Sequence, residues 1–326
     1  MNGYQSSSKL KVLYIMGAGR SGSTIFGNTL GQLEKFTHVG EILEIWTILA
    51  SRLVLCGCGT PVVTCKVWDD VLGRAYGHID ESFIAEMVEF RNLKARDSTF
   101  LNAMSLRGIR ILQRSLAKPL ADIESLYRSI QQTFGCEVIV DSSKHPMYGY
   151  LLHLIDGIDP YVVHLTRDPR AVTYSFFRKQ VRDGSLIMKR DLSPVQASLK
   201  WGYKNGVAEI LSRRFRRNPL RVRYEDFVAD PRGALQRVLN FVGEPRLSFP
   251  LEDEHSVNLV PQHTVSGNPS RFVTGKVELR QNHSWKSEMT RRDQMLVTAA
   301  TWPLMIKYGY WGDRATMQDP LLGRAA

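Results

Sequence analysis

One junction constrains this chain more than any other. Residues 11–16 form a short β-rich apolar run, which leads into Gly17, Ala18, Gly19, Arg20, Ser21, Gly22, Ser23 and Thr24; residues 25–30 follow with helical periodicity. A strand, a glycine-rich turn and a helix start in immediate succession aim backbone N–H groups and the positive end of a helix at one point, which is an anion cradle. The spacing from Gly17 to Gly22 nearly reproduces the nucleoside-triphosphate pattern G-x-x-x-x-G-K-[ST], except that Ser23 stands at the lysine position. That lysine normally reaches the β- and γ-phosphates, so its replacement argues against ordinary ATP or GTP hydrolysis. The cation present, Arg20, lies inside the loop and suits a bidentate clamp on a tetrahedral oxyanion.

Three further β-rich runs, at residues 137–140, 161–165 and 220–222, are each followed by a polar or glycine turn and a helical pattern. Strands alternating with helices predict an α/β fold, a P-loop-like and mostly parallel sheet flanked by helices, with ligands at the carboxyl ends of the strands. Between the first and second runs, about residues 80–134, apolar residues recur at helical spacing (Phe83, Met87, Phe90; Leu106, Ile109, Leu112, Leu116), which reads as a helical insertion covering the sheet. Residues 251–268 read as loop and residues 291–308 as helix. With no repeat and no low-complexity linker, the expectation is a single domain over residues 1–326 carrying that insertion.

A net charge of +11 over 326 residues calls for an anionic partner: nucleic acid, a membrane surface or a small ligand with several phosphates or sulfates. The densest basic run, Arg213, Arg214, Phe215, Arg216 and Arg217, reads as a solvated helix end, and no zinc finger, basic zipper or RNA-binding aromatic motif accompanies it. No nucleic-acid partner is therefore expected. The apolar run before Gly17 is too short for a signal sequence or a spanning helix. A cytoplasmic protein without an integral membrane segment is expected, its four cysteines in a reducing compartment.

A second anchor follows residues 161–165. Thr166-Arg167-Asp168-Pro169 ends that strand and opens a helix, with Asp168 as N-cap and Pro169 at the first helical position. Arg167 then sits at the strand's carboxyl end, and Ser175 follows about two helical turns on.

Together the two anchors resemble those of the sulfotransferases that use 3′-phosphoadenosine-5′-phosphosulfate (PAPS), of the bacterial and carbohydrate type. The first loop reads much like their GRSGST loop. The resemblance implies that Arg20, Ser21, Gly22, Ser23 and Thr24 grip the 5′-phosphosulfate, and that Arg167 and Ser175 bind the 3′-phosphate. A looser match, residues 267–276, resembles the loop that closes over the nucleotide; it implies that Arg271 reaches the 3′-phosphate side, with Lys276 assisting. The stretch Arg223-Tyr224-Glu225-Asp226-Phe227 resembles the family's fourth-strand region and supports the fold alone. The implied activity is transfer of a sulfuryl group from PAPS to a hydroxyl or amine of a small-molecule, lipid or carbohydrate acceptor.

Sulfuryl transfer needs an acceptor in line with the sulfur, a base for its proton and cations on the leaving phosphate oxygen; no metal is required in principle, and none is assigned. Two residues compete for the base. Glu41 follows the first helix and is placed at the strand-end side, where related enzymes carry a catalytic glutamate. His145, in Ser143-Lys144-His145-Pro146, resembles the Lys-x-His-x-Pro of the cytosolic enzymes, but here Lys and His are adjacent. Glu41 is preferred. Lys144 is placed to touch the sulfuryl group or to pair with Asp141. Asp141, read as a Walker-B acid, keeps an atypical P-loop kinase or NTPase as the alternative. Cys56, Cys58 and Cys65 form C-x-C-x6-C, for which packing beside the acceptor pocket is the expectation. A zinc site there needs a fourth ligand, from Cys136 or a histidine such as His38, and redox pairing is the other option. Neither the acceptor nor the oligomeric state is legible.

Overall fold

The computed structural model describes residues 9–311 apart from residues 96, 183 and 184. Strand β1 (Leu10–Met16) is buried along almost its whole length, as a strand covered on both faces must be. It leads through the glycine loop into α1 (Ser23–Leu30), and β2 (Phe36–Gly40) follows. Helices α2 (Ile45–Ser51), α3 (Lys66–Tyr76), α4 (Glu81–Glu89), α5 (Leu106–Ser115) and α6 (Ala117–Phe134) then cover one face before β3 (Val138–Lys144) returns to the sheet. The helical cover expected at residues 80–134 is present and is preceded by α2 and α3.

After α7 (Pro146–Leu152) come β4 (Ile158–Thr166) and α8 (Pro169–Tyr174), then the antiparallel hairpin β5 (Phe177–Arg182) and β6 (Ser185–Arg190). Helix α9 (Pro194–Ser212) opens on a capping box of Ser193 and Gln196 and precedes β7 (Leu220–Arg223), α10 (Tyr224–Ala229) and α11 (Pro231–Val242). Residues read as loop contain β8 (Leu251–Asp253) and β9 (Ser256–Leu259); β9 pairs with β8 and with β10 (Gly275–Glu278) in a small antiparallel sheet. These strands are three and four residues long, too short to show an alternating pattern. Helices α12 (Ser284–Glu288) and α13 (Arg291–Lys307) end the described chain.

The main sheet has the order β2-β3-β1-β4-β7, with all neighbours parallel. From β1 the chain first builds one side (β2, β3) and then the other (β4, β7), so the crevice at the carboxyl end of β1 is the topological switch point where such sheets bind ligands. Alternation along β1 sends Val12, Tyr14 and Met16 into a core with α6 and α7, and Leu13 and Ile15 into a second core with α1 and α11. Burying each of these side chains contributes about 1.5–3 kcal/mol, which fixes the strand ends from both faces. A third, smaller cluster of Ala18, Val172, Trp201, Met305, Tyr308 and Tyr310 packs α13 and the segment after it against the two anchor segments.

Candidate active site

The loop after β1 is forced by its surroundings. Gly17 has φ +144°, and a Cβ there would sit 2.4 Å from the Leu165 carbonyl oxygen; Gly22 has φ +86°, and its Cβ would sit 2.3 Å from the Tyr224 ring. Only glycine allows both approaches. Gly22 also serves as N-cap of α1, so no side chain caps that helix, and its first turn carries no acidic residue. Its positive end is left to an external anion. The Ser21 hydroxyl is buried without a hydrogen-bond partner in the same loop, an orphan that a bound oxyanion would satisfy.

Arg20 and Lys144 both hold left-handed backbone, with φ 67° and 71°. Such conformations cost of order 1 kcal/mol or more and concentrate at functional sites. The Arg20 guanidinium donates from Nε to Ser175 Oγ (3.2 Å) and from Nη2 to the Ser175 carbonyl (2.9 Å). Arg167 donates from Nη1 to the Arg20 carbonyl (3.1 Å) and stacks 4.5 Å over the Tyr224 ring. The carbonyl of Arg167 accepts from the indole of the buried Trp201 on α9 (3.1 Å). Asp168 caps α8 by accepting from Arg170 N (2.8 Å), with Pro169 in the first turn, as the sequence predicts. The helix is shorter than expected: Ser175 is its C-cap, and its hydroxyl donates back to Val172 O at 2.6 Å.

On the other flank, β2 places Glu41 directly after Gly40. Glu41 therefore follows a strand that sequence reading overlooked, rather than the first helix. Its carboxylate forms an ion pair with Lys144 at the end of β3. Register irregularities at the ends of β2 and β3 turn both residues toward the cleft. The other partner weighed for Lys144, Asp141, is engaged elsewhere. Fully buried, it accepts from Tyr127 Oη (2.5 Å), Ser143 N (2.8 Å) and Ser143 Oγ (2.6 Å), and burial pushes its pKa up to about 6. A carboxylate saturated by internal donors is a structural anchor and offers no oxygen to a magnesium ion, which removes the motif that favoured a kinase or NTPase. His38 is likewise structural: Nδ1 lies 3.0 Å from Asn28 Oδ1 and Nε2 3.0 Å from Ser142 Oγ, and burial lowers its pKa to about 3.

Between the flanks lies a cleft of about 610 Å³ lined by Arg20, Gly22, Ser23, Thr24, Glu41, Lys144, Arg167 and Ser175 among others. Ser21 is buried in the glycine loop and is not among the lining residues. Three more sequence-selected residues, besides Ser21, lie outside the lining. His145 caps α7; its carbonyl accepts from Tyr14 Oη at 2.8 Å and its Nδ1 faces Lys204 Nζ at 2.8 Å. Arg271 donates to the carbonyls of Gly267 (2.8 Å) and Leu55 (3.1 Å), so its guanidinium braces the late loop on the Glu41 flank. Lys276 points away from the cleft on β10 and pairs with Asp253 at 2.9 Å, while its neighbour Val277 points in. Period-two alternation of the strand separates them.

The late loop itself does close on the cleft: Asn268 N donates to Thr24 Oγ1 (3.2 Å), and Gly267, Asn268, Pro269 and Ser270 line it. Sequence reasoning missed Lys200, Phe176 and Tyr224, which also line it. Lys200 sits 5.8 Å over the Phe176 ring. As one lysine on a long helix it carries no motif, whereas Tyr224 was legible only as part of a strand-end stretch.

The fold is thus a parallel α/β sheet with a glycine loop, an arginine-bearing second anchor and a cation-rich cleft at its switch point. Residues 13–248 match the sulfotransferase family, more than half of the chain, and the protein belongs to that family. It is thus a transferase of sulfuryl groups. The match ends before the late loop. Among solved structures, the chain is similar to the "Sulfotransferase Domain from the Curacin Biosynthetic Pathway" (14% identity, 90% of this chain and 98% of that one, TM-score 0.45). It is also similar to the "Sulfotransferase Domain from the Synechococcus PCC 7002 Olefin Synthase" (16% identity, 93% and 98%, TM-score 0.44). No curated protein matches the sequence. Among the described residues, no helix is long and apolar enough to cross a membrane.

Proposed function

We propose that the protein transfers a sulfuryl group from PAPS to a hydroxyl or amine of a small-molecule, lipid or carbohydrate acceptor, with Glu41 as the base. The observation that carries this reading is the composition of the cleft: among the described lining residues, four cations (Arg20, Lys144, Arg167, Lys200) face one carboxylate, Glu41, which is held by one of them. A donor with a phosphosulfate and a second phosphate matches such an excess of cations. The open end of α1 and the Ser21 hydroxyl suit the phosphosulfate, and Arg167 with Ser175 suits the 3′-phosphate. Arg20 touches both groups of residues and is assigned to bridge them. Arg271 and Lys276 are assigned supporting roles in the late loop rather than direct contacts.

In the proposed step the acceptor oxygen forms a bond to sulfur as its proton passes to a Glu41 oxygen, and the bond from sulfur to the phosphate oxygen breaks. The electron pair stays on the phosphate, where Lys144 and the loop amides offset the developing charge. Lys144 also pairs with the Glu41 carboxylate and so positions it. His145 faces Lys204 rather than the cleft, which favours Glu41 over it. No residue of the proposed step requires a metal. The four cysteines, none in a disulfide, accord with a reducing cytoplasmic setting.

The test is a thermal-shift comparison of adenosine 3′,5′-bisphosphate, the donor product, with ATP, each with and without magnesium. At 100 times its dissociation constant a ligand stabilises by about 2.7 kcal/mol. Stabilisation by the bisphosphate without metal is the expected result. A response to magnesium-ATP alone overturns the donor assignment.

A further inference from the structure

The cysteine motif is not absorbed by this function. The structure brings Cys56, Cys58 and Cys65 together with His263, and the four ligand atoms all lie within 4.8 Å of one another. The Sγ atoms of Cys58 and Cys65 are 3.8 Å apart; His263 Nδ1 is 3.6 Å from Cys56 Sγ and 3.3 Å from Cys65 Sγ. Zinc bonds of about 2.3 Å to sulfur and about 2.0–2.1 Å to nitrogen, arranged tetrahedrally, set the S···S edge near 3.8 Å and the S···N edge near 3.6 Å. The three edges given lie within about 0.3 Å of this polyhedron, and the S···S distance is far beyond the roughly 2.05 Å of a disulfide. We infer that Cys56, Cys58, Cys65 and His263 form a structural zinc site.

The surroundings have the form of a metal knuckle. The amides of Cys58 and Thr60 donate to the sulfurs of Cys56 and Cys58, so the loop backbone orients both sulfurs. Cys56 N donates to Thr60 O (2.7 Å) and Gly59 N to Cys56 O (2.8 Å), folding the loop tightly around its sulfurs. Outside the ligands, Gly57 N donates to Thr264 O (2.9 Å) and the Trp68 indole to His263 O (3.0 Å). Three thiolates with one neutral imidazole fill all four positions, so the ion is structural and has no open site for substrate. Binding releases the three thiol protons to solvent and leaves a site of net charge −1. The fourth ligand lies neither at Cys136 nor at His38, whose ring is spent on Asn28 and Ser142.

The consequence is positional. The ion ties residues 55–65 to residues 261–265, where Val265 N donates to Val39 O (3.0 Å), next to Gly40 and Glu41. The same segment runs on into Gly267 and Asn268 of the cleft wall. Zinc therefore fixes the Glu41 flank and the late loop together, whatever donor and acceptor the cleft takes.

Metal content of the full-length chain, purified under reducing conditions from zinc-supplied cells, tests this. The expected result is one zinc per chain in the wild type, with none in His263→Ala or Cys58→Ser and an undiminished content in Cys136→Ser. Chelated wild-type protein refilled with Co²⁺ should show the strong visible d–d bands of tetrahedral thiolate coordination, a readout that needs no variant to fold. Metal-free wild-type protein that takes up neither ion after reduction overturns the site. So does a Cys58–Cys65 disulfide, seen as a mass lower by two hydrogens, or zinc retained in His263→Ala. An iron–sulfur chromophore in place of zinc overturns it as well.

Discussion

The two flanks of the cleft are built by different means. At the ends of β1 and β4, each residue facing the anion is placed by the turn in which it sits: a glycine loop opening α1, and an Asp-Pro start opening α8. At the ends of β2 and β3, placement comes from partners far away in sequence. Glu41 is set by Lys144, the late loop by Thr24, and the cysteine loop by His263. The first flank carries the open end of α1 with Arg20 and Arg167. The second holds the one carboxylate among the described lining residues and couples it to a cation. The proposed function assigns donor affinity to the first flank and turnover to the second.

Glu41→Gln gives the largest expected effect. Removing a positioned base lowers the rate about 10²–10⁴-fold. The dissociation constant for adenosine 3′,5′-bisphosphate should stay nearly unchanged, because the variant leaves the α1 end, Arg20 and Arg167 intact. Steady-state kinetics with PAPS and calorimetric titration of the bisphosphate separate the two. Normal turnover in this variant would transfer the base role elsewhere and dissolve the distinction between the flanks.

Arg20→Ala reverses the pattern. Its guanidinium links the phosphate loop to Ser175, and losing charge-assisted hydrogen bonds of about 1.5–3 kcal/mol weakens bisphosphate binding roughly 10- to 100-fold. Arg167→Ala should weaken it comparably and also remove the stacking on Tyr224. If Lys144→Ala weakens binding as much as either, donor affinity is shared across both flanks and the comparison fails.

The same contrast explains what was legible. Glycine loop, N-cap and proline are local devices with local signatures, so β1, β4, β7 and the residues Arg20, Arg167 and Ser175 could be read from short stretches. Strand β2 was missed because Phe36–Gly40 is a five-residue segment that follows α1 after a short turn and includes a buried histidine, which breaks the apolar run. Glu41 was chosen correctly as a cleft residue but hung on the wrong element. His145, Arg271 and Lys276 sit beside motif-like neighbours, yet one residue's shift along a strand or a cap turns a side chain away, and no spacing rule reports that. The pairing of Cys65 with His263 depends on tertiary packing alone.

Both flanks rest on neutral histidines, which sets the response to acid. Burial lowers His38 to about 3, and His153 and His164 to about 4, against an ordinary value near 6.5. Their folded-state values are depressed, so their contribution to stability is present above pH 6.5 and is lost as pH falls from there toward 4. Asp141, raised to about 6, and Glu225, raised by burial, act oppositely by taking up protons in the folded state. The unfolded chain thus binds a net one or two extra protons, worth roughly 1.4–2.7 kcal/mol per pH unit. The unfolding free energy from urea titrations between pH 7 and 5 should fall at about that slope; a flat profile would mean that the histidines protonate in place.

Ser175→Ala is the finest probe of the donor flank. The hydroxyl donates to Val172 O and accepts from Arg20 Nε, so it spends its proton within α8 and offers the arginine only a lone pair. Its loss removes one modest hydrogen bond of about 0.5–1.5 kcal/mol, which predicts a two- to tenfold rise in the bisphosphate dissociation constant. The Ser175 carbonyl still holds Arg20 Nη2, so the arginine should keep its place and turnover at saturating donor should be unchanged. A much larger loss would show that the hydroxyl turns from Val172 to the phosphate on binding. An unchanged constant would remove Ser175 from the donor site and leave Arg20 and Arg167 to bind the second phosphate alone.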